Sequence, residues 1–138
     1  MSEQQNVDIV KGSYEAFGRG DLDGLIAALA DDIQWTSPGP SDLPTAGLRV
    51  GHDQVRQFFG TIMELYEFLG FEPQRFIAQG DTVVVTGVDR IRVKATGNVV
   101  EETWAHVFTI ANGKIATFQE YIDTATVVAE LRSAIAKA

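Results

Sequence analysis

Apolar positions recur at helical spacing in the first half of the chain and at alternating spacing in the second, so the pattern predicts helices followed by a sheet. Ser2-Glu3-Gln4-Gln5 has the form of a capping box, and Val7, Val10, Tyr14 and Phe17 follow at helical intervals until Gly18 and Gly20 stop the helix. Asp21 caps a second helix whose stripe is Leu22, Leu25, Ile26 and Leu29, ending at Ala30-Asp31-Asp32, and Ile33-Gln34-Trp35 forms a short strand. Three of the four prolines, Pro38, Pro40 and Pro44, fall between Thr36 and Gly51 and predict an irregular loop able to lid a pocket. A third helix is expected from about Asp53 to Phe68, with Val55, Phe58, Phe59, Ile62, Leu65 and Tyr66 inward. From Phe71 to Asp123, β-branched runs broken at Gly80-Asp81, Gly97-Asn98 and Asn112-Gly113 predict antiparallel sheet, and a last helix from about Thr124 carries Val127, Val128, Leu131 and Ile135. Helices first and sheet second predict an α+β fold with the helices on one face of the sheet.

Alternate side chains of a strand point to opposite faces, so sorting by parity separates inner from outer rows. Between 83 and 94 the odd row is Val83, Val85, Gly87, Asp89, Ile91 and Val93, with Arg90, Arg92 and Lys94 in the other row. Between 102 and 110 the even row is Glu102, Trp104, His106, Phe108 and Ile110, and between 115 and 122 it is Ala116, Phe118, Glu120 and Ile122. Asp89, His106 and Glu120 therefore stand in apolar rows. A two-residue Gly97-Asn98 turn would set Asp89 opposite His106, and a three-residue Ala111-Asn112-Gly113 loop with a bulge would set Phe118 opposite His106 with Glu120 on the diagonal, whereas a two-residue Asn112-Gly113 turn would place Glu120 on the opposite face from His106. Ionised groups without partners are expensive to bury, so these three must pair or line a wet cavity. An Asp, a Glu and a His so placed are candidates for general acid and base chemistry. The plain alternative is a core histidine with two carboxylates at the sheet rim. His52 at a helix start reads as structural, and Arg90, Arg92 and Lys94 as a solvated or subunit-facing surface.

Composition narrows the function classes. At 138 residues, 45% hydrophobic and 22% charged, the chain is expected to be one globular domain spanning 1–138. A net charge of −8 opposes a phosphate backbone or an anionic membrane. Without cysteine there is no thiolate nucleophile and no Cys-based zinc site, so no metal or other cofactor is expected, and a reducing, cytoplasmic setting fits. The N-terminus lacks a signal-peptide pattern and no stretch has the length of a membrane span. Phosphate-binding glycine loops, HExxH and GxSxG are absent.

Tyr14-Glu15-Ala16-Phe17, Gly20-Asp21, Leu29-Ala30-Asp31-Asp32-Ile33, Trp35, Phe58-Phe59, Trp104-Ala105-His106, Gly113-Lys114-Ile115 and Tyr121-Ile122-Asp123 together resemble the SnoaL-like polyketide cyclases and the ketosteroid isomerase relatives of the nuclear transport factor two fold. The resemblance implies a cone-shaped α+β barrel, with N-terminal helices on a curved antiparallel sheet and a C-terminal helix. It also implies a homodimer through the outer sheet face, where Thr103, Ala105, Val107, Thr109 and Tyr121 lie. In SnoaL-type cyclases a strand histidine is followed fourteen positions later by an acidic acid/base residue, and His106 and Glu120 keep that spacing with Glu in place of the usual Asp. In the steroid isomerase pattern Ser37 stands near the base, His106 at the oxyanion-hole acid, and Tyr14 one position away. The epoxide hydrolase pattern shares Asp89 and the acidic position 120 but has arginine where this chain has Gly87.

The expected function is cofactor-independent proton transfer on an apolar carbonyl compound: Glu120 as base, with His106, oriented by Asp89, stabilising the enolate oxygen. Tyr14, Phe17, Trp35, Phe59, Met63, Trp104 and Phe118 are the expected substrate-binding walls. The alternatives are a non-catalytic ligand-binding or dimerisation domain of the same fold, and an epoxide hydrolase or dehydratase-type activity.

Overall fold

The computed structural model describes residues 2–137, with the side chains of 135 and 137 outside the described set. Helix α1 (Glu3–Gly18) opens with the expected reciprocal cap: Gln5 N–H donates to Ser2 Oγ at 3.1 Å and Ser2 N–H to Gln5 Oε1 at 2.8 Å. Asp21 caps α2 (Leu22–Ala27), accepting from the Gly24 N–H at 2.8 Å. Helix α3 (Gly51–Leu65) and α4 (Thr124–Lys137) complete the helical layer. The strands are β1 (Leu29–Ser37), β2 (Gly47–Val50), β3 (Tyr66–Gln79), β4 (Thr82–Val93), β5 (Val99–Ala111) and β6 (Lys114–Ile122).

They form one six-stranded sheet in the order β2-β1-β6-β5-β4-β3. The sheet is mixed, because β1 runs parallel to β6 while every other pair is antiparallel. It is also open, with β2 and β3 as its edges, so the architecture is a curved α+β cone rather than a closed barrel. Three boundaries differ from the sequence pattern. Leu29 leaves the α2 stripe to begin β1, where it pairs with Ile115. The proline-rich loop contains β2, paired with β1 from Gln34↔Val50 to Ser37↔Gly47. Tyr66 and Phe68 belong to β3, opposite Val93 and Ile91, because the run from Ile62 to Phe68 satisfies helical and strand spacing alike and cross-strand pairing decides it.

The main core packs α1, α2 and α3 onto β1, β4, β5 and β6 through Val10, Ile33, Val55, Val83, Val85 and Phe108, each no more than 2% exposed. A second cluster at the other end joins Leu43 from the proline-rich loop and Tyr66, Ile91, Val93 and Val100 from the sheet to Leu131 and Ala134 of α4. Between the clusters the inner sheet face remains incompletely filled. The opposite face is polar: Arg90 pairs with Glu101 at 3.3 Å and Arg92 with Glu67, as a solvated row should. His52 is half-buried and structural, its Nε2 meeting the Leu29 carbonyl at 3.0 Å. No helix of the described residues is long and apolar enough to cross a membrane.

Candidate functional site

Between helices and sheet lies a cavity of about 120 Å³, walled largely by Phe17, Trp35, Phe58, Phe59, Phe71 and Phe118. That volume is close to the roughly 150 Å³ of an engineered apolar cavity that admits benzene, so its scale is one ring. The aromatic walls brace one another, with Trp35 stacked on Phe118 at 3.8 Å between centroids and Phe59 against Trp35 at 5.5 Å. Pro38 and Thr45 of the proline-rich loop also line it, and Val127 of α4 closes one side.

His106 is 4% exposed, and both its ring nitrogens are engaged. Its Nδ1 meets the Tyr14 hydroxyl at 2.8 Å and its Nε2 meets Glu120 Oε2 at 2.9 Å. Burial, reinforced by the charge of Glu120, raises the Tyr14 hydroxyl far above the ordinary tyrosine range, so it remains a donor. Glu120 lies directly opposite His106 and Phe118 opposite Phe108. The sequence expectation set Phe118 opposite His106 with Glu120 on the diagonal; Ala111 pairs with Lys114, so the loop is two residues rather than three. The two-residue Asn112-Gly113 turn (φ 53° and 76°) alone would have turned Glu120 to the outer face. The ladder skips Ala116 between Ile110↔Ile115 and Thr109↔Thr117, and this bulge returns Glu120 to the cavity.

Asp89 is not the partner of His106, contrary to the sequence expectation. Strand β4 ends at Val93, whose carbonyl accepts from the Gly97 N–H at 2.7 Å, so a five-residue connection replaces the two-residue turn. Val85 then faces His106 and Asp89 faces Glu102, a displacement of the pairing by an even number of residues that leaves every side chain on its predicted face. Asp89 and Glu102 form a carboxyl pair that lines both the cavity and an outer groove containing Glu72 and Asp123. Desolvation pushes the Asp89 carboxyl up to about 6, opposed by its hydrogen bond with Glu102. Glu102 rises to about 9, through desolvation first and then the charge of Asp89. One proton therefore stays on the pair at neutral pH, held by Glu102 and shared with Asp89.

Further polar groups wait without partners. Ser37 Oγ, Trp35 Nε1, Asp89 Oδ1 and Glu102 Oε2 are buried and make no hydrogen bond among the described residues. Ser37 lines the cavity and, one step along the ladder from Thr36↔Gln119, sits beside Glu120. Tyr66, 8% exposed, also lines the cavity and is raised by burial and then by the charges of Glu102, Glu120 and Asp89.

Of the expected wall residues, Tyr14, Phe17, Trp35, Phe59 and Phe118 line the cavity. Met63 does not: it is 45% exposed, on the outward side of α3. Trp104 does not line it either; its indole stacks behind His106 at 4.0 Å and on Phe71 at 5.0 Å. It also covers Gly87, where an added Cβ would lie 2.4 Å from Trp104 Cζ2 and 2.5 Å from the Glu72 carbonyl, so the arginine of the epoxide hydrolase pattern has no room. The sequence reading missed Glu102 and Tyr66 as site residues. Glu102 stood in the same apolar row as His106, while Tyr66 was absorbed into a helical stripe. Among the described residues no group of three or more His, Asp or Glu side chains is placed to hold a metal ion.

Comparisons with known proteins bear on the family and the fold. A solved NTF2-like protein from Burkholderia xenovorans is 39% identical, superposes with a TM-score of 0.86 and is matched over 95% of this chain and 98% of its own. TerC, crystallized with polyporic acid, is 25% identical with a TM-score of 0.81 over 94% of this chain and 98% of its own. An uncharacterized protein of Mycobacterium tuberculosis is 27% identical over 88% of this chain and 91% of its own length. The model of the SnoaL-like domain matches residues 10–118, and the chain belongs to that family.

Proposed function

We propose that the protein is a small-molecule enzyme of the cyclase or isomerase type, moving a proton on a mostly apolar carbonyl compound without a cofactor. The observation that carries this reading is the continuous chain from the Tyr14 hydroxyl through His106 to Glu120 at the wall of an apolar cavity. A carboxylate only accepts, so an ionised Glu120 fixes the neutral imidazole with its hydrogen on Nε2, and Nδ1 accepts from Tyr14. His106 then positions the carboxylate instead of contacting the ligand oxygen. Glu120 Oε1 is left to take a carbon-bound hydrogen next to the carbonyl. As the carbonyl oxygen gains charge, Ser37 Oγ and Trp35 Nε1 supply hydrogen bonds that nothing in the protein consumes. Return of the proton from Glu120 to another atom of the ligand completes an isomerisation, or, after carbon–carbon bond formation, a ring closure. TerC with its polyporic acid supports a small-molecule ligand for this cavity.

The test is hydrogen–deuterium exchange into cyclopentanone, a single ring whose hydrogens flank a carbonyl, followed by proton NMR in heavy water. The wild type should accelerate exchange and Glu120→Gln should lose roughly 10²- to 10⁴-fold of that acceleration. Full activity in the variant would remove Glu120 from the role of base.

The outer sheet face supports pairing of two copies. Tyr121 is 57% exposed there, beside exposed Thr103 and half-buried Ala105, Val107 and Thr109. Light scattering at micromolar concentration should give a dimer, and Tyr121→Glu should give a monomer.

A further inference from the structure

The polar groups facing the cavity fall into two sets. Around Glu120 stand His106, Tyr14, Ser37 and Trp35. On the far side of the same inner face stand Asp89, Glu102 and Tyr66, and Glu102 is four residues from His106 along β5. Four residues of strand span roughly 13 Å of backbone, so the two sets stand at separate ends of the cavity wall. The far set is unusual in what it lacks. Tyr66 is over nine-tenths buried, lines the cavity, and is kept protonated by that burial. Asp89 and Glu102 leave one buried oxygen each unpartnered at the wall between the cavity and the outer groove. A buried polar group left open is costly unless something arrives to meet it.

Resting on the reading of Glu120 given above, we propose that Tyr66, backed by the Asp89–Glu102 pair, is a second ligand-binding centre that takes a neutral carbonyl oxygen. The ligand is then a flat, ring-sized compound with an acidic hydrogen or hydroxyl at the Glu120 end and a ketone or aldehyde at the Tyr66 end. Tyr66 donates to the carbonyl. The pair, with one proton between two carboxyls, retains one negative charge, and this charge discriminates against a carboxylate in the same place. The arrangement therefore selects carbonyl compounds over the corresponding acids.

Three single-ring probes separate these effects in calorimetric titrations near neutral pH: phenol, 4'-hydroxyacetophenone and 4-hydroxybenzoate. The wild type should bind the ketone about tenfold more tightly than phenol, the factor equivalent to one hydrogen bond of about 1.4 kcal/mol, and the carboxylate more weakly than phenol. Tyr66→Phe should erase the ketone's advantage and leave phenol unchanged. The isosteric pair Asp89→Asn with Glu102→Gln should raise affinity for 4-hydroxybenzoate about tenfold, a change that a purely structural role would not produce. Equal binding of ketone and phenol by the wild type, or a ketone advantage that survives Tyr66→Phe, would overturn this proposal while leaving Glu120 its role. Failure of all three probes to bind would overturn both readings.

Discussion

The two polar sets in the cavity use similar residues and differ in how they are satisfied. At the His106 end every ring nitrogen has a partner within 2.9 Å, and the chain of donors points toward one carboxyl. At the Asp89 end two carboxyls face each other across β4 and β5, retain open oxygens and hold a proton that water alone would not leave there. Register explains the difference. An acid opposite a histidine gains a complementary partner, whereas an acid opposite an acid gains a like charge that only protonation relieves. One sheet face thus presents a carboxyl organised as an acceptor and a carboxyl pair organised to keep its proton.

The sharpest way to break the first end is His106→Ala. It removes a buried ring stacked on Trp104 and strips Glu120 and Tyr14 of their shared partner. A loss of about 3 kcal/mol in urea unfolding is expected. A loss below about 1 kcal/mol would mean that the chain of hydrogen bonds organises nothing.

The second end should show itself in the pH dependence of stability. Both carboxyls of the pair have folded values above their ordinary ones, so they bind protons more tightly folded than unfolded. Their contribution is present at low pH, begins to fall as pH rises past the ordinary carboxyl range, and continues falling through about 6 and on to about 9. The melting temperature of the wild type should therefore drop by several degrees between pH 6 and pH 9, and Glu102→Gln should flatten that limb. An unchanged slope in the variant would place the proton elsewhere.

The smallest effect expected is that of Tyr14→Phe, which removes one donor to His106 and leaves the ring packed against Phe71, Phe76 and Phe108. It should cost about 1 kcal/mol of stability. A neutral result would mean that Nδ1 finds another donor.

Which residues share a face was legible in the chain, because alternation along a strand is local and Asp89, His106 and Glu120 each stand in a row of large apolar neighbours. Which residues oppose one another was not, because pairing depends on loops. Gly97-Asn98 carries a turn signal, yet the Gly97 N–H donates to the Val93 carbonyl at 2.7 Å, so the chain turns at Val93 and β4 ends before that dipeptide is reached. The bulge at Ala116 has no marker of its own, and it alone decides that Glu120 faces inward. Met63 shows the converse limit, a residue on an amphipathic helix whose rotational position was read too broadly.

The contrast between the two ends is tested most directly by infrared difference spectroscopy of the carboxyl carbonyl band at neutral pH. The wild type should show a band from one buried protonated carboxyl, which disappears in Glu102→Gln and persists in Glu120→Gln. A band that vanishes with Glu120→Gln and survives Glu102→Gln would contradict the account, because the proton would then sit at the His106 end.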